Sequence, residues 1–530
     1  MKTDTMRSIL EELLKGLLAI RPGCHKMPTK SLVMEKRLAI PLCNQKTVAK
    51  WLVICILLSH WNSLAFASEM SDPFGTEAMV PLKPALRIGG AVGDPCEVLS
   101  LDHSLNLLEV VNQALCNNPK TREVWAISRF QAEQVGVSKA GYLPNVSLDA
   151  SVNRTTLGTA PGVDQRSVSV TLSYLLYDFG SRAANLENAR QLLAAAGATQ
   201  DSTVQTVFLL AVQSYYQTQA TLAALEAAKE SERAAKESFA AAEARYKAGS
   251  ATPADKLQAQ TAYSQATLNR ITADGNLKNA QGTLANMLGL DANRNVSLAA
   301  SNTTSMPNDF EGDINALIEE ARRRRPDLQA AAAQVKAYEA SADAARASGR
   351  PTISLNAFAD QNRSAGIDTH GSTVAINLNV PIFSGFAPTY QVRAAEAQVE
   401  AKNAQLEQLR LQVALDVWTA YQNLTTASQS LRTSGDLLDS AEQSARVALG
   451  RYKAGVGSIL DVLNAQSALA SARQQRIQST FNWNTSRATL AQSMGSLDAS
   501  LLQTLSDAGG QTAGAIVQKP GEIPSQKIQP

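Results

Sequence analysis

Two aspartates stand at matching places in a stretch that this chain carries twice. Residues 245–270 read RYKAGSATPADKLQAQTAYSQATLNR, and residues 451–476 read RYKAGVGSILDVLNAQSALASARQQR. Asp255 and Asp461 each lie six residues past the glycine that closes RYKAG, Gly249 in the first copy and Gly455 in the second. Neither stretch contains a nucleophile–base pair, a metal-ligand spacing or a phosphate loop, so catalysis is not what these residues are arranged for. Once a leader ending at residue 67 is set aside, only His103 and His370 remain, too few for a zinc or catalytic histidine cluster. No cofactor and no metal site is expected. The chemistry left to an aspartate here is charge and hydrogen bonding: a carboxylate in the first turn of a helix is stabilised by the local dipole.

The elements that place these aspartates can be read around them. Gly249 and Gly455 suit the positive φ of a helix C-cap, so a helix ends at each RYKAG. Thr252, Pro253 and Ser458 suit the start of a returning helix. Each motif is therefore the turn of a helical hairpin. Proline is absent between Pro161 and Pro253 and between Pro388 and Pro520. Long helices are expected over about 181–247, 253–288, 390–453 and 458–497. Recurrent Ala-Ala pairs such as Ala223-Ala224 let such helices approach closely, as in a coiled coil.

The duplication reaches further. LLEVVNQALCNNP at 107–119 matches INALIEEARRRRP at 314–326, YLPNVSLDA matches GRPTISLNA, and VTLSYLLYDFGSR matches INLNVPIFSGFAP, all offset by 206 or 207. Two structural repeats result, 105–300 and 301–505, between a leader at 68–104 and a tail at 506–530 whose composition reads as disordered. Within each repeat the hydrophobic period changes to two. Val146, Leu148, Ala150, Val152 and Val168, Val170, Leu172, Tyr174 alternate with polar residues in the first. Ile353, Leu355, Ala357, Ala359 and Val374, Ile376, Leu378, Val380 do so in the second. Strands are expected over about 144–155, 167–177, 351–360 and 373–382, joined by polar loops at 156–166 and 361–372. Tyr174, Tyr177 and Phe179, and likewise Phe383, Phe386 and Tyr390, cluster at strand ends, where aromatics suit a membrane–water boundary. Ordinary core packing is the other reading of the same residues.

Residues 1–67 read as a signal segment. Lys46 and Lys50 precede an apolar run from residue 51, which ends in Ala65-Phe66-Ala67 before Ser68. Met27 and Met34 are alternative starts to Met1. Cys55 lacks the small residues that precede a lipid-modified cysteine, so no lipid anchor is expected. The remaining chain has 39 basic and 43 acidic residues, near neutrality, and nothing points to a nucleic-acid partner. Cys96 and Cys116 are an even pair in an oxidising compartment, and a disulfide between them and two unrelated thiols are both open.

Four strands of about ten residues have the length of tilted transmembrane strands. In lipid every backbone donor and acceptor must be paired within protein, and only helices and closed barrels achieve this. Four strands leave two open edges and fall short of the eight-strand minimum of single-chain barrels. If they enter a membrane, several chains share one barrel.

In this order, LPNVSL, LLYDFGSR with its counterpart VPIFSGF, and both RYKAG turns resemble the TolC-like outer-membrane efflux and type I secretion channels of Gram-negative bacteria. The resemblance covers about 105–500. It implies a mainly α fold with a small β part: duplicated α-helical hairpins forming a tunnel, and four strands per chain in a twelve-strand barrel shared by a homotrimer. It further implies an outer-membrane location in contact with lipid, a tunnel projecting into the periplasm, a periplasmic adaptor (membrane fusion protein) and an inner-membrane ABC or proton-driven transporter. By resemblance Asp461 lies at the tunnel mouth, where three copies form an acidic ring that attracts cations. Asn464 falls where some members carry a second acid. Tyr452 and Asp255 match positions whose hydrogen bond holds the mouth shut. Gly249, Gly455 and Gly457 mark the mouth turns and the adaptor contact, and Gly457 stands where the family has a basic residue. A solvated helix-start aspartate is the alternative for Asp461, and a soluble periplasmic coiled-coil adaptor or scaffold is the alternative for the whole chain.

Overall fold

Pro119 and Pro326 each begin the second helix of a helix pair. A computed structural model describes residues 72–81, 103–156, 158, 162–299 and 313–497, all within a unit spanning 72–530. Residues 1–67, read from the sequence as a signal segment, most of 68–104 and the tail 506–530 lie outside the described residues. So does Cys96, while Cys116 is half-buried on the first helix. Helix α1 (Leu107–Asn117) starts in a capping box between Asn106 and Glu109, and α2 (Pro119–Ala140) restarts on Pro119 under the Asn118 cap. The second repeat has α5 (Ile314–Arg324) and α6 (Pro326–Ser348) in the same places.

The strands β1 (Asn145–Thr155), β2 (Val163–Tyr177), β3 (Thr352–Ser364) and β4 (Ile367–Asn379) form one antiparallel sheet in the order β1-β2-β3-β4. Register aligns the apolar positions across all four: Val146 faces Leu172, Leu172 faces Ala357, and Ala357 faces Val374. The neighbouring row, Ser147, Thr171, Phe358 and Thr373, is polar but for one phenylalanine. A further polar cross-strand pair, Ser151 with Ser167, joins hydroxyl to hydroxyl at 2.7 Å. The sheet thus has two unlike faces, and its large apolar side chains Val146, Leu148, Val374, Ile376 and Leu378 are exposed. The polar loop expected at 361–372 is not a loop. β3 and β4 run on to a two-residue turn at Ala365 and Gly366, both at positive φ as a tight hairpin requires. Residues 361–364 and 368–373 are polar or glycine, so no apolar alternation marks this end of the hairpin in the sequence.

Helices α3 (Ser181–Lys247) and α7 (Ala387–Lys453) leave the sheet and run 67 residues each, about 100 Å at 1.5 Å per residue. α4 (Pro253–Met287) and α8 (Ile459–Ser493) return along them. The largest core lies where α1 meets the middle of α3 and the ends of α4 and α8, with Phe208, Val110, Val111, Leu284 and Ala488 buried together. A short parallel bridge, Leu105 with Leu298, ties the start of the first repeat to its end. Toward the RYKAG turns α3 lies against α8, so the two hairpins pack side by side in the order α4, α3, α8, α7. Among the described residues no helix is long and apolar enough to cross a membrane, and no cluster of potential metal ligands occurs.

Candidate tunnel mouth

Both RYKAG motifs close their helices in the same way. After α3, Gly249 takes φ 72°, its N–H donates to Tyr246 O at 3.0 Å, and Ser250 N–H donates to Arg245 O at 2.9 Å. After α7, Gly455 takes φ 80°, its N–H donates to Tyr452 O at 3.0 Å, and Val456 N–H donates to Arg451 O at 3.0 Å. This is the glycine-dependent helix stop, in which left-handed backbone lets the last carbonyls find donors.

The aspartates then act first as caps. Asp255 accepts from Thr252 N–H and Thr252 Oγ1, each at 2.9 Å, and its own N–H donates back to Thr252 Oγ1 at 3.2 Å. Asp461 accepts from Ser458 N–H at 3.3 Å, and its N–H donates to Ser458 Oγ at 3.1 Å. Both are capping boxes, which the Thr-x-x-Asp and Ser-x-x-Asp spacing encodes. Asp461 is exposed and held by one fewer bond than Asp255, and Asn464 lies one turn further along.

The structure does not join Tyr452 to Asp255. The Tyr452 hydroxyl is buried and has no hydrogen-bond partner, while Thr252 donates twice to Oδ2 of the Asp255 carboxylate. Tyr452 is instead held through its ring, which packs with Ala242, Ala259, Ile459 and Val462. The Arg245 guanidinium lies 4.6 Å over that ring. Arg245 also fills the space beside Gly455, where an added Cβ would stand 3.4 Å from its Nη2. Reading the motifs separately misses this contact, since it joins the arginine of the first RYKAG to the tyrosine of the second. Gly457 sits against the α7 backbone; a Cβ there would meet Arg451 Cβ and Tyr452 N at 3.1 Å. Gly457 thus offers a close backbone approach, and the cation beside this turn is that of Arg245.

The first turn is more polar. Glu243 faces Lys256 at 3.3 Å and Lys247 at 3.6 Å, and these ammonium groups, Lys256 foremost, hold its carboxyl below the usual range. Away from the mouth, the strand-end aromatics pair edge to face: Tyr177 with Phe179 at 4.7 Å and Phe383 with Phe386 at 5.4 Å, while Tyr174 is half-buried. Phe179 and Phe386 both adopt positive φ, each beside a glycine, Gly180 and Gly385, that does the same. Asp178, which the motifs do not single out, is buried and accepts from Arg182 N–H at 2.8 Å and Arg182 Nε at 3.0 Å, so it anchors the sheet-to-helix junction.

A two-faced sheet open at both edges, continuous with twin helical hairpins, is an architecture suited to a channel subunit. The chain belongs to the outer membrane efflux protein family, whose model matches residues 110–290 and 317–496. It is 32% identical over 382 residues to protein CyaE of Bordetella pertussis, covering 70% of this chain and 80% of that one. It is 24% identical over 433 residues to outer membrane protein TolC of Escherichia coli, covering 77% and 86%. Its fold matches the Campylobacter jejuni CmeC outer membrane channel with a TM-score of 0.67 at 18% identity, covering 81% of this chain and 98% of that one. The protein is an outer-membrane export channel of the efflux and secretion type; the soluble adaptor reading has no support.

Proposed function

We propose that three copies close into one pore, a twelve-strand barrel continuous with an α-helical tunnel, and that it passes on cargo brought by an inner-membrane ABC or proton-driven transporter through a periplasmic adaptor. The observation that carries this reading is the sheet order β1-β2-β3-β4, with one unpaired edge on β1 and one on β4. In hydrocarbon those edges need partners, and a second copy offers β4 to β1. Twelve strands hold a lumen, whereas eight are filled by their own side chains. Cys55, without small residues before it, gives no sign of lipidation, and this leans the cargo toward secreted protein.

Asp461 is the residue for the acidic ring at the mouth, because its carboxylate is exposed and lightly committed to its cap. Closure rests on the contacts between the two hairpins, each worth about 1 kcal/mol. A partner that binds the open arrangement more tightly can overcome their sum. The channel does no chemistry, and the energy comes from its transporter.

The test uses the purified full chain in detergent. Light scattering should give the mass of three chains, and the protein should form pores in planar bilayers. Multivalent cations added on the periplasmic side should block those pores, and Asp461→Asn should weaken the block by about tenfold or more. A chain that stays single and soluble without detergent would sink the reading.

A further inference from the structure

The two hairpins are copies, so each contact between them inside one chain has an image between chains. An offset of 206 residues carries α3 onto α7 and α4 onto α8. Inside the chain the seam between hairpins is α3 against α8. Its image is α7 of one copy against α4 of the next, and α4 and α7 are the two helices on the flanks of the four.

Three polar contacts cross the internal seam near the mouth. Arg245 lies 4.6 Å over the Tyr452 ring, Gln466 Nε2 donates to Ser238 Oγ at 3.0 Å, and Arg473 pairs with Glu230 at 2.8 Å. Shifted by 206, the first becomes Arg451 with Tyr246, and the second becomes Ser444 with Gln260. The residue types are unchanged. The third becomes Asp436 with Thr267, so the duplicate keeps two contacts and loses one.

Common descent alone would keep residue types without giving them work, so burial is the independent observation. At the internal seam Tyr452 is 5% exposed and Ser238 is buried. Tyr246, in the last turn of α3, is 41% exposed, and Arg451, Ser444 and Gln260 on the flanking helices are exposed. The Lys256 ammonium lies 5.7 Å from the Tyr246 ring centroid. The flanks therefore carry the same donors, acceptors and ring as the internal seam, without a neighbour on them. The occupant that fits is the complementary flank of a second copy.

We propose that Arg451 of one copy stacks on Tyr246 of the next, and that Gln260 of that next copy donates to Ser444. The mouth is then girdled by arginine–tyrosine stacks that alternate within and between chains. This rests on the ring of three copies proposed above. The interface has its own polar register, set by the duplication, and Arg451 and Tyr246 are positioning residues for the closed mouth.

Cross-linking in the assembled full-length protein tests this. Cys96 and Cys116 are replaced by serine, and Ser444→Cys is combined with Gln260→Cys. Both sites are exposed, so the fold tolerates the change. A short bismaleimide should yield covalent dimers and trimers on a denaturing gel, with none from either single variant. The internal pair, Ser238→Cys with Gln466→Cys, should link within one chain and run as a single chain. If light scattering shows three chains but the flank pair gives only single chains, the inference falls and the ring stands. If light scattering shows one chain, both fall. Independently, Arg451→Gln should raise the fraction of open mouths in bilayers by about two- to fivefold; an unchanged fraction overturns the arginine–tyrosine stack between copies.

Discussion

The same five residues, RYKAG, end α3 and α7, yet their surroundings are opposite. At the second turn Tyr452 is buried, and Leu449 and Val462 pack around it. At the first turn the equivalent residues are Tyr246, Glu243 and Lys256: an exposed ring beside an ion pair. The backbone geometry of the two stops is nearly identical, so the motif itself dictates only the reversal of the helix. What the tyrosine does depends on which helix lies beside it. The second turn is covered by the first hairpin of its own chain, and its flanking residues are apolar. The first turn lies on the outer side of its hairpin, where its tyrosine ring is exposed beside the Glu243–Lys256 pair.

The strongest way to break this comparison is to remove both rings. Tyr452→Ala deletes a buried aromatic and leaves a cavity, which should cost about 3 kcal/mol or more. Tyr246→Ala loses a stack but encloses no volume, and should cost about 1 kcal/mol. Thermal unfolding of the detergent-solubilised protein measures both, and Tyr452→Ala should also raise conductance. Equal losses would mean that the two turns sit in the same environment.

A smaller effect sharpens the account of Gly457. Gly457→Arg supplies the basic residue expected there from the family resemblance. Its Cβ, however, would press on the backbone of Arg451 and Tyr452 at 3.1–3.2 Å. Overpacking of this kind costs about 1–3 kcal/mol. The expected result is a lower unfolding temperature and a leakier mouth, because the shifted turn takes Tyr452 away from Arg245. A tighter mouth would show that the missing basic side chain, not close packing, is what matters at this position.

How far the sequence could be read depended on whether a feature is local. The helix stops come from glycine and the two capping boxes from a three-residue spacing, and both are visible in RYKAG and the half-dozen residues after it. The strands of the sheet are visible as period-two alternation. Their extent is not, since Gln361, Asn362 and Arg363 are polar and still lie in β3, paired with β4 as far as Ile367. Hydrophobicity marks where a strand is covered by lipid or protein, not where its hydrogen bonds end. Arg245 on Tyr452 was illegible for a different reason: the two residues are about two hundred positions apart, and their meeting depends on α3 lying beside the second hairpin. Asp178 holds the start of α3 from two residues before its cap, so it does not match the usual spacing.

The mildest expected difference is between the two caps, and it decides which aspartate is free to serve the pore. Thr252 gives Asp255 two donors at 2.9 Å, while Ser458 gives Asp461 one at 3.3 Å. Removing an N-cap hydroxyl costs about 0.5–2 kcal/mol. Thr252→Ala should fall in the upper part of that range and Ser458→Ala in the lower part, read as shifts in unfolding temperature. Conductance should order them the other way. Ser458→Ala removes only the acceptor of Asp461 N–H and leaves the backbone N–H of residue 458 on the carboxylate, so cation block should be nearly unchanged. Thr252→Ala removes the hydroxyl donor and leaves the backbone N–H on the Asp255 carboxylate, so it should strengthen cation block modestly. If Ser458→Ala proves the more damaging to stability, the bond lengths mislead, and Asp461 is the more firmly held of the two. In that case the acidic ring would have to be reassigned to a residue less committed to its own helix.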